Sequence, residues 1–302
     1  MNTEKQAPSR RDGFAKIAAA YVAATLAAFF TWVVLYAGHE SFGMPSSLEF
    51  GGAMDLVATI VVFLFSVALR NSSTYDAYWS VAPMALAVYW AGVGEGNLVR
   101  VVLVVALVWW WGARLTWNWA RTWTGLHHED WRYVDLRNQT GAAWPLVNFF
   151  GIHFFPTVQV FMGLFPVHAA LTIDAPLGVW DGVAAIVTAA AVLIEQVSDR
   201  QLLDFRRSPE RVKGDVMNTG LWAYSRHPNY VGESLFWWGL AFFTLQVAPS
   251  EHWRWSGAVA ITVMFIIISI PMLEKRNKER RENYDEHAAR GVFFPMPPKK
   301  KS

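Results

Sequence analysis

The chain has 302 residues, of which 54% are apolar and only 17% are charged. Soluble domains contain about 25% charged residues, so this composition argues against an ordinary soluble fold. The net charge of +2 carries little information, and a chain without cysteine has no disulfides, thiol catalysis or cysteine-bound metal. Seventeen Trp and twenty Phe residues suit the aromatic belts of a bilayer. These features predict an all-α fold, a polytopic transmembrane helical bundle.

Eight apolar segments are predicted to cross the membrane, since one crossing requires about 20 apolar residues. They are 14–38, 53–69, 76–91, 98–120, 144–167, 177–197, 230–247 and 255–273. The third is the weakest because Pro83 interrupts it and Asp76 begins it, so a re-entrant or cavity-lining helix is the alternative there. We expect a disordered tail at 1–13, one transmembrane domain at 14–294 and a basic tail at 295–302.

The basic residues predict the orientation of these segments. If the N-terminus is cytoplasmic, the predicted outer loops contain a single basic residue, Arg254, and the basic residues of all other loops and of both tails lie inside. We therefore expect an integral membrane protein with both termini in the cytoplasm and any site for a charged cofactor facing the cytoplasm. Basic and aromatic residues do not interleave as in nucleic-acid-binding segments, so no nucleic-acid partner is expected.

A polar stretch from Glu195 to Glu233 separates two of the apolar segments. Glu195 and Asp199 are four residues apart, so a helix would present both carboxylates on one face. Together with Arg206 they could hold a nucleotide, because carboxylates accept hydrogen bonds from ribose and guanidinium groups bind phosphate. A helix end that carries interfacial salt bridges is the alternative interpretation.

The second half of this stretch leads into the next apolar segment at Pro228. Proline suits the first turn of a helix, whose free backbone N–H groups can bind an anion. Five polar side chains lie beside this predicted helix start: Tyr224, Arg226, His227, Asn229 and Glu233. Ionisable groups are costly inside a membrane, so a ligand site explains this cluster better than packing alone.

Two further sets of residues are candidates for the same site. Arg114, Asn118 and Arg121 are spaced four and three apart, which puts them on one helix face. The alternative for Arg121 is an anchor that extends to the lipid headgroups. Arg276 and Tyr284 follow the last apolar segment and could close over an adenine or a phosphate, or could belong to an ordinary charged flank. No pattern of histidines predicts a metal site.

The stretch from Leu221 to Glu233 closely resembles the DUF1295 family, a branch of the steroid 5-alpha-reductase-like membrane enzymes. Sterol C14 reductases and isoprenylcysteine carboxyl methyltransferases are more distantly similar. The resemblance covers about residues 53–296 and includes stretches at 73–80, 111–115, 129–133, 195–201 and 273–276. It implies a helical bundle whose cytoplasmic half encloses NADPH, with a lipid-accessible cavity for an apolar substrate.

The resemblance also implies roles for individual residues. Glu195, Asp199 and Arg206 match positions that hold the adenosine and its phosphates, and Asn229 and Glu233 match a cofactor-binding Asn and a neighbouring acid. The related reductases use a Glu and Tyr pair at the carbonyl of an enone. Here we expect Asp76 with Tyr75 or Tyr78 to act as the acid, while Trp111 stands at the position of that tyrosine.

The leading hypothesis is therefore an NADPH-dependent oxidoreductase that reduces an activated C=C bond in a sterol, a polyprenoid or a fatty-acyl enone. In such a reaction an acid stabilises the developing enolate and a proton is supplied to carbon. The first alternative is an S-adenosylmethionine-dependent membrane methyltransferase, against which Arg206 and Arg207 argue because that cofactor has no phosphate. The second alternative is a non-catalytic lipid-binding protein without affinity for nucleotides.

Overall fold

The computed structural model describes residues 9–38, 46–212, 214–281 and 284–288. Within these ranges the regular structure is entirely helical, which confirms the predicted all-α bundle. The basic tail predicted at 295–302 and the first eight residues of the tail predicted at 1–13 lie outside the described residues. Arg10 to Gly13 are helical rather than part of a tail, because the Ser9 side chain caps the first helix by accepting a hydrogen bond from the Asp12 N–H.

The helices are joined by short turns, and several of them follow one another with only a change of helical pitch. The α-helices are α1 (Arg10–Ala37), α2 (Ser47–Leu69), α3 (Tyr78–Val93), α4 (Leu98–Thr122), α5 (Trp131–Thr140), α6 (Trp144–Val147), α7 (Phe155–Gly163), α8 (Phe165–Thr172), α9 (Val179–Arg207), α10 (Pro228–Phe242), α11 (Thr244–Val247), α12 (Ser256–Met264), α13 (Ile270–Arg280) and α14 (Tyr284–Ala288). Segments Asn148–Phe154 and Phe265–Ser269 are π-helical, and Ser72–Tyr75 is a 3₁₀ turn.

Six helical stretches of the described chain are long and apolar enough to cross a membrane. They are Arg10–Ala37, Ser47–Leu69, Leu98–Thr122, Trp131–Thr172, Val179–Arg207 and His252–Arg280. The third and seventh predicted segments correspond to α3 and α10, which have only 16 and 15 residues. The chain is thus an integral membrane helical bundle in which two shorter helices lie among six long ones.

The short third helix follows a buried polar turn. Residues Ser72–Tyr75 form the 3₁₀ turn, and the Asn71 side chain caps it by accepting a hydrogen bond from the Ser73 N–H at 2.9 Å. Pro83 lies inside α3 and is buried. Asp76 and Ser80 line a cavity at the start of α3, which agrees with the cavity-lining alternative for this segment.

Helices α9 and α10 approach each other at Gly232 and Gly239 of α10. A Cβ atom on Gly232 would come within 2.8 Å of the Glu195 backbone nitrogen and 2.9 Å of the Ala191 carbonyl oxygen. Small residues allow such close contact between membrane helices, where packing rather than hydrophobic burial drives association. This contact brings the part of α9 around Glu195 next to the first turns of α10, where Glu233 follows Gly232 in the sequence.

Helices α4 and α9 are also joined by a buried ion pair near their first residues. Arg100 is fully buried, and its Nε and Nη2 atoms donate to the two carboxylate oxygens of Asp181 at 2.6 and 2.9 Å. The same guanidinium donates to the carbonyl oxygens of Ala175 and Pro176 at 3.0 and 2.9 Å. Charge and hydrogen-bonding capacity are matched here, as a buried ion pair requires.

Candidate functional site

A cavity of about 270 Å³ lies between α3, α4 and α9, at the end of the bundle where α4 and α9 finish. We refer to this end as the arginine-rich end. The cavity is lined by Asp76, Trp79, Ser80, Leu115, Asn118, Trp119, Arg121, Thr122, Asp199, Leu202, Leu203 and Arg206. Five of these residues are predicted site residues from three separate parts of the sequence: Asp76, Asn118, Arg121, Asp199 and Arg206. The cavity thus combines an apolar wall with groups of both charges.

Arg114 links the predicted residues of α4 to those of α9. Its side chain is 8% exposed, and its two terminal nitrogens form ion pairs with Glu195 at 2.5 Å and Asp199 at 2.9 Å. Asn118, one turn further along α4, donates to the same Asp199 oxygen at 2.7 Å. The spacing of four residues within each helix aligns these pairs across the seam between α4 and α9.

Glu233 lies behind this seam and is buried. Its two oxygens accept hydrogen bonds from the indole N–H groups of Trp111 and Trp237, at 2.9 and 2.8 Å. It also interacts with Glu195 and with Arg114. Three carboxyl groups therefore gather around a single buried guanidinium, so carboxyl groups outnumber basic groups at this point.

Positive groups are in excess at the rim of the cavity, which Arg121 and Arg206 line and near which Arg211 and Arg281 approach Arg206. Arg206 and Arg211 lie close enough for their charges to interact, and Arg121 is near Asp199. Partial burial, with the neighbouring Arg211 and Arg206 guanidiniums, lowers the pKa of Arg281. Among the described residues, these four arginine side chains have no carboxylate within ion-pair distance. Like charges that converge without counter-ions favour the binding of an anion.

Asp76 stands on the opposite wall of the cavity and accepts a hydrogen bond from the Tyr133 hydroxyl at 2.8 Å. Burial raises the pKa of Asp76 from 3.8 to about 7, although the hydrogen bond from Tyr133 acts in the other direction. A carboxyl group with such a pKa is partly protonated at neutral pH and can donate a proton.

Tyr78 and Tyr75 do not contact Asp76 through their hydroxyl groups, so the predicted pairing of either tyrosine with Asp76 is wrong. The Tyr78 hydroxyl donates to Asp55 at 2.8 Å, and the Tyr75 hydroxyl lies 2.8 Å from the Thr157 hydroxyl. Tyr75 ends the 3₁₀ turn and Tyr78 begins α3, and the centres of their rings lie 5.6 Å apart. Tyr75 and Tyr78 therefore point together into the bundle, while Asp76 faces the cavity.

The predicted residues at the start of α10 form a separate cluster. Arg226 forms an ion pair with Glu274 at 2.9 Å, and His227 Nε2 lies 3.4 Å from the same oxygen. The Asn229 Oδ1 atom is buried without a hydrogen-bond partner among the described residues. Tyr224 is 44% exposed and lines neither of the cavities described in this section and below. This cluster joins the start of α10 to the first half of α13.

Arg276 and Tyr284 do not line the cavity either. The Arg276 guanidinium lies 3.6 Å from the centre of the Trp131 ring, a cation–π contact. Tyr284 is buried in α14, and its hydroxyl is close enough to Arg281 to interact with its charge. Of the two residues, only Tyr284 is thus near the unpaired arginines of the rim.

Three residues of this region were not predicted from the sequence as site residues. Tyr133 follows charged loop residues that suggest only surface ion pairs, and such pairs do form, for example between Glu129 and Arg137 at 2.8 Å. Asp55 lies in an apolar segment, where a carboxylate on its own indicates a functional site. Trp237 is one of many tryptophans, and no pattern marks it as a partner of Glu233. No group of residues in the described part of the chain could hold a metal ion.

Comparison with known proteins places the chain in a family. The family described as "Protein of unknown function (DUF1295)" matches residues 62–291. An uncharacterised protein of Schizosaccharomyces pombe is 28% identical over 278 residues, which cover 81% of this chain and 78% of that protein. No solved structure matches the chain at a significant level. The family match confirms the resemblance seen in the sequence: the chain belongs to the DUF1295 family.

Proposed function

We propose that this protein is a membrane-embedded, NADPH-dependent reductase of an activated C=C bond in a lipid-like molecule. The observation that carries the proposal is the cavity at the arginine-rich end. It joins a carboxyl group with a pKa of about 7, Asp76, to the carboxylate of Asp199 and to unpaired arginines. Arg121 and Arg206 line this cavity and are exposed, so their charges remain available to an anionic ligand.

The residues at the cavity suit a phosphorylated dinucleotide. Arg121, Arg206, Arg211 and Arg281 would bind its phosphates, since guanidinium groups form bidentate hydrogen bonds with phosphate oxygens. The Asp199 carboxylate would accept hydrogen bonds from ribose hydroxyls, as it already accepts them from Arg114 and Asn118. When bound, NADPH supplies a hydride for the carbon beta to a carbonyl group.

The chain itself supplies the proton chemistry. Asp76 holds a proton at its carboxyl group near neutral pH, and the Tyr133 hydroxyl orients that group by donating to its Oδ1 atom. A protonated carboxyl group hydrogen-bonded to the substrate carbonyl oxygen stabilises the negative charge that develops there. Trp79, Leu115 and Trp119 exclude water from the same space and match an apolar substrate.

We further propose that the arginine-rich end faces the cytoplasm, with both termini on that side, in a bacterial inner membrane. The distribution of Lys and Arg among the loops supports this orientation. It gives a charged cofactor direct access from the cytoplasm, while an apolar substrate reaches the cavity from the bilayer.

Binding measurements on the detergent-purified protein test this function, with NADPH, NADH and S-adenosylhomocysteine as ligands. Arg206→Gln removes a guanidinium that lines the cavity. Arg207→Gln removes the guanidinium of the next residue, which is also exposed but does not line the cavity. Charged hydrogen bonds contribute about 1.5–3 kcal/mol, so we expect Arg206→Gln to weaken NADPH binding about 10- to 150-fold. Arg207→Gln should leave it unchanged.

The other outcomes decide between the remaining hypotheses. Binding of S-adenosylhomocysteine alone would contradict the reductase and favour the membrane methyltransferase. Absence of binding for all three ligands would favour a non-catalytic lipid-binding protein. Equal losses for Arg206→Gln and Arg207→Gln would show that the cavity is not where the nucleotide binds.

A further inference from the structure

A second cavity, of about 390 Å³, lies on the other side of the seam between α4 and α9. We call it the lateral groove. It is lined by Trp110, Ala113, Arg114, Trp117, Asn118, Arg121, Gln196 and Arg200. Arg114, Asn118 and Arg121 contribute one face of α4 to its lining, and Asn118 and Arg121 also line the first cavity. The two cavities are thus neighbours that share part of one wall.

The lateral groove opens toward the surrounding membrane. Trp110 is 37% exposed and Trp117 is 67% exposed, and both belong to a helix that crosses the bilayer. Trp110 and Arg121 are eleven residues apart on α4, which corresponds to about 16 Å along the helix axis. An apolar portion and a basic end therefore follow one another along the groove, as they do in the acyl chain and headgroup of a lipid.

The basic end of the groove has unused capacity for an anion. Arg121 has no ion-pair or hydrogen-bond partner among the described residues, and Arg200 has only the exposed Asp204 at 3.7 Å. The Nε atom of the nearly buried Arg114 side chain also has no hydrogen-bond partner in the described part of the chain. Glu195 and Asp199 neutralise the rest of the Arg114 guanidinium. Net positive charge therefore remains at the Arg121 and Arg200 end.

We propose that the lateral groove is a specific binding site for an anionic phospholipid. The phosphate of the headgroup is bound by Arg200, with Gln196 as a further hydrogen-bond donor and the positive charge of Arg121 nearby, and an acyl chain lies along Ala113 and Trp110. Basic pockets between transmembrane helices bind anionic headgroups in this way. A soluble phosphate compound lacks the apolar portion that the exposed tryptophans match.

The test uses the full-length protein in phosphatidylcholine nanodiscs with trace spin-labelled phosphatidylglycerol or spin-labelled phosphatidylcholine. Electron paramagnetic resonance gives the fraction of each lipid that is immobilised by the protein. We expect phosphatidylglycerol to be immobilised preferentially. Because one basic residue contributes about 1 kcal/mol, Arg200→Gln should reduce the preference about fivefold.

Two further variants make the assignment specific. Ala113→Trp, at an exposed position, fills the apolar portion of the groove and should likewise reduce the preference. Arg207→Gln removes an equal charge from the same helix outside the groove and should leave the preference unchanged. Circular dichroism of each variant verifies that the bundle is folded.

Several results would overturn the proposal. These are equal immobilisation of the two lipids by the wild-type protein, equal effects of Arg200→Gln and Arg207→Gln, and displacement of phosphatidylglycerol by inorganic phosphate. Neither Arg200 nor Ala113 lines the first cavity, so NADPH binding by these variants is a separate measurement. The lipid site and the proposed reductase can therefore fail independently.

Discussion

Helices α4 and α9 are joined by an arginine and a carboxylate at each end of the bundle, and the two contacts differ in charge balance. Arg100 and Arg114 are 14 residues apart on α4, as are Asp181 and Glu195 on α9, which corresponds to about 21 Å in each helix. At the first contact one carboxylate and two carbonyl oxygens satisfy a fully buried guanidinium. At the second contact, three carboxyl groups surround one guanidinium beside two cavities.

The difference separates a structural contact from a candidate binding site in the same pair of helices. A buried ion pair whose charges and hydrogen-bonding groups are all satisfied has no free group that could bind a ligand. A cluster with surplus carboxylates on one side and unpaired arginines on the other is stabilised further when a ligand of matching charge binds. Functional sites commonly keep such local imbalance at the expense of stability.

The largest expected effect on stability is at the contact between Arg100 and Asp181, where the charges are matched. Asp181→Asn leaves the Arg100 guanidinium buried without its counter-charge, which should lower the free energy of unfolding by about 3–5 kcal/mol. Thermal unfolding in detergent, followed by circular dichroism, measures the change. A loss below about 1 kcal/mol would show that the ion pair of Arg100 and Asp181 stabilises the bundle no more than an exposed salt bridge does.

Asp76 should titrate near neutral pH at the arginine-rich end. Its pKa of about 7 predicts an infrared band of the protonated carboxyl group that disappears with a midpoint near pH 7. The difference spectrum between the wild type and Asp76→Asn isolates this band. Turnover that depends on the protonated group should fall about tenfold per pH unit above 7. A midpoint near 4 would mean that Asp76 is an ordinary solvated carboxylate.

The sign of the stability effect follows from the same pKa shift. Folding raises the pKa of Asp76 from 3.8 to about 7, so the folded state binds the proton more tightly than the unfolded state. The stability contribution is complete below pH 3.8 and is lost as the pH rises to about 7. Asp76→Asn should therefore gain stability relative to the wild type as the pH increases through this range.

Tyr133→Phe should shift this titration upward. The hydroxyl group of Tyr133 donates to Asp76 and stabilises the ionised form, so its removal raises the pKa of Asp76 further. A hydrogen bond of about 1 kcal/mol corresponds to a shift of slightly less than one pH unit. The midpoint of the infrared band measures the shift. Tyr78→Phe is the matched control, because the Tyr78 hydroxyl donates to Asp55 and should leave the Asp76 titration in place.

The smallest expected effect on stability is that of Asp199→Asn. Arg114 retains Glu195 as its counter-ion, so the free energy of unfolding should change by less than about 1 kcal/mol. NADPH binding should nevertheless weaken, since the Asp199 carboxylate lines the proposed site. The pair Asp181→Asn and Asp199→Asn thus compares the two ends directly. Equal destabilisation by the two substitutions would remove the distinction between them.

Much of the fold and part of the candidate site could be predicted from local sequence. Spacings of three and four residues correctly align Arg114 with Asn118, and Glu195 with Asp199, because the helical repeat is a local property. The pairing of Tyr78 with Asp76, expected from the family resemblance, is wrong because the Tyr78 hydroxyl donates to Asp55 instead. Tyr133 could not be assigned at all, since its partner Asp76 is 57 residues away in the sequence.

By itself, the sequence determined that the chain is a helical membrane protein of the DUF1295 family, since composition and hydrophobic length depend on the residues alone. It also placed the ionisable groups at helix ends. The tertiary structure decided which of these groups meet: it joined Asp76, Asn118, Asp199 and Arg206 around one cavity and directed Tyr78 elsewhere. The physical reason is that contacts between helices depend on their rotation and depth in the bundle, which packing at positions such as Gly232 sets and which no local pattern encodes.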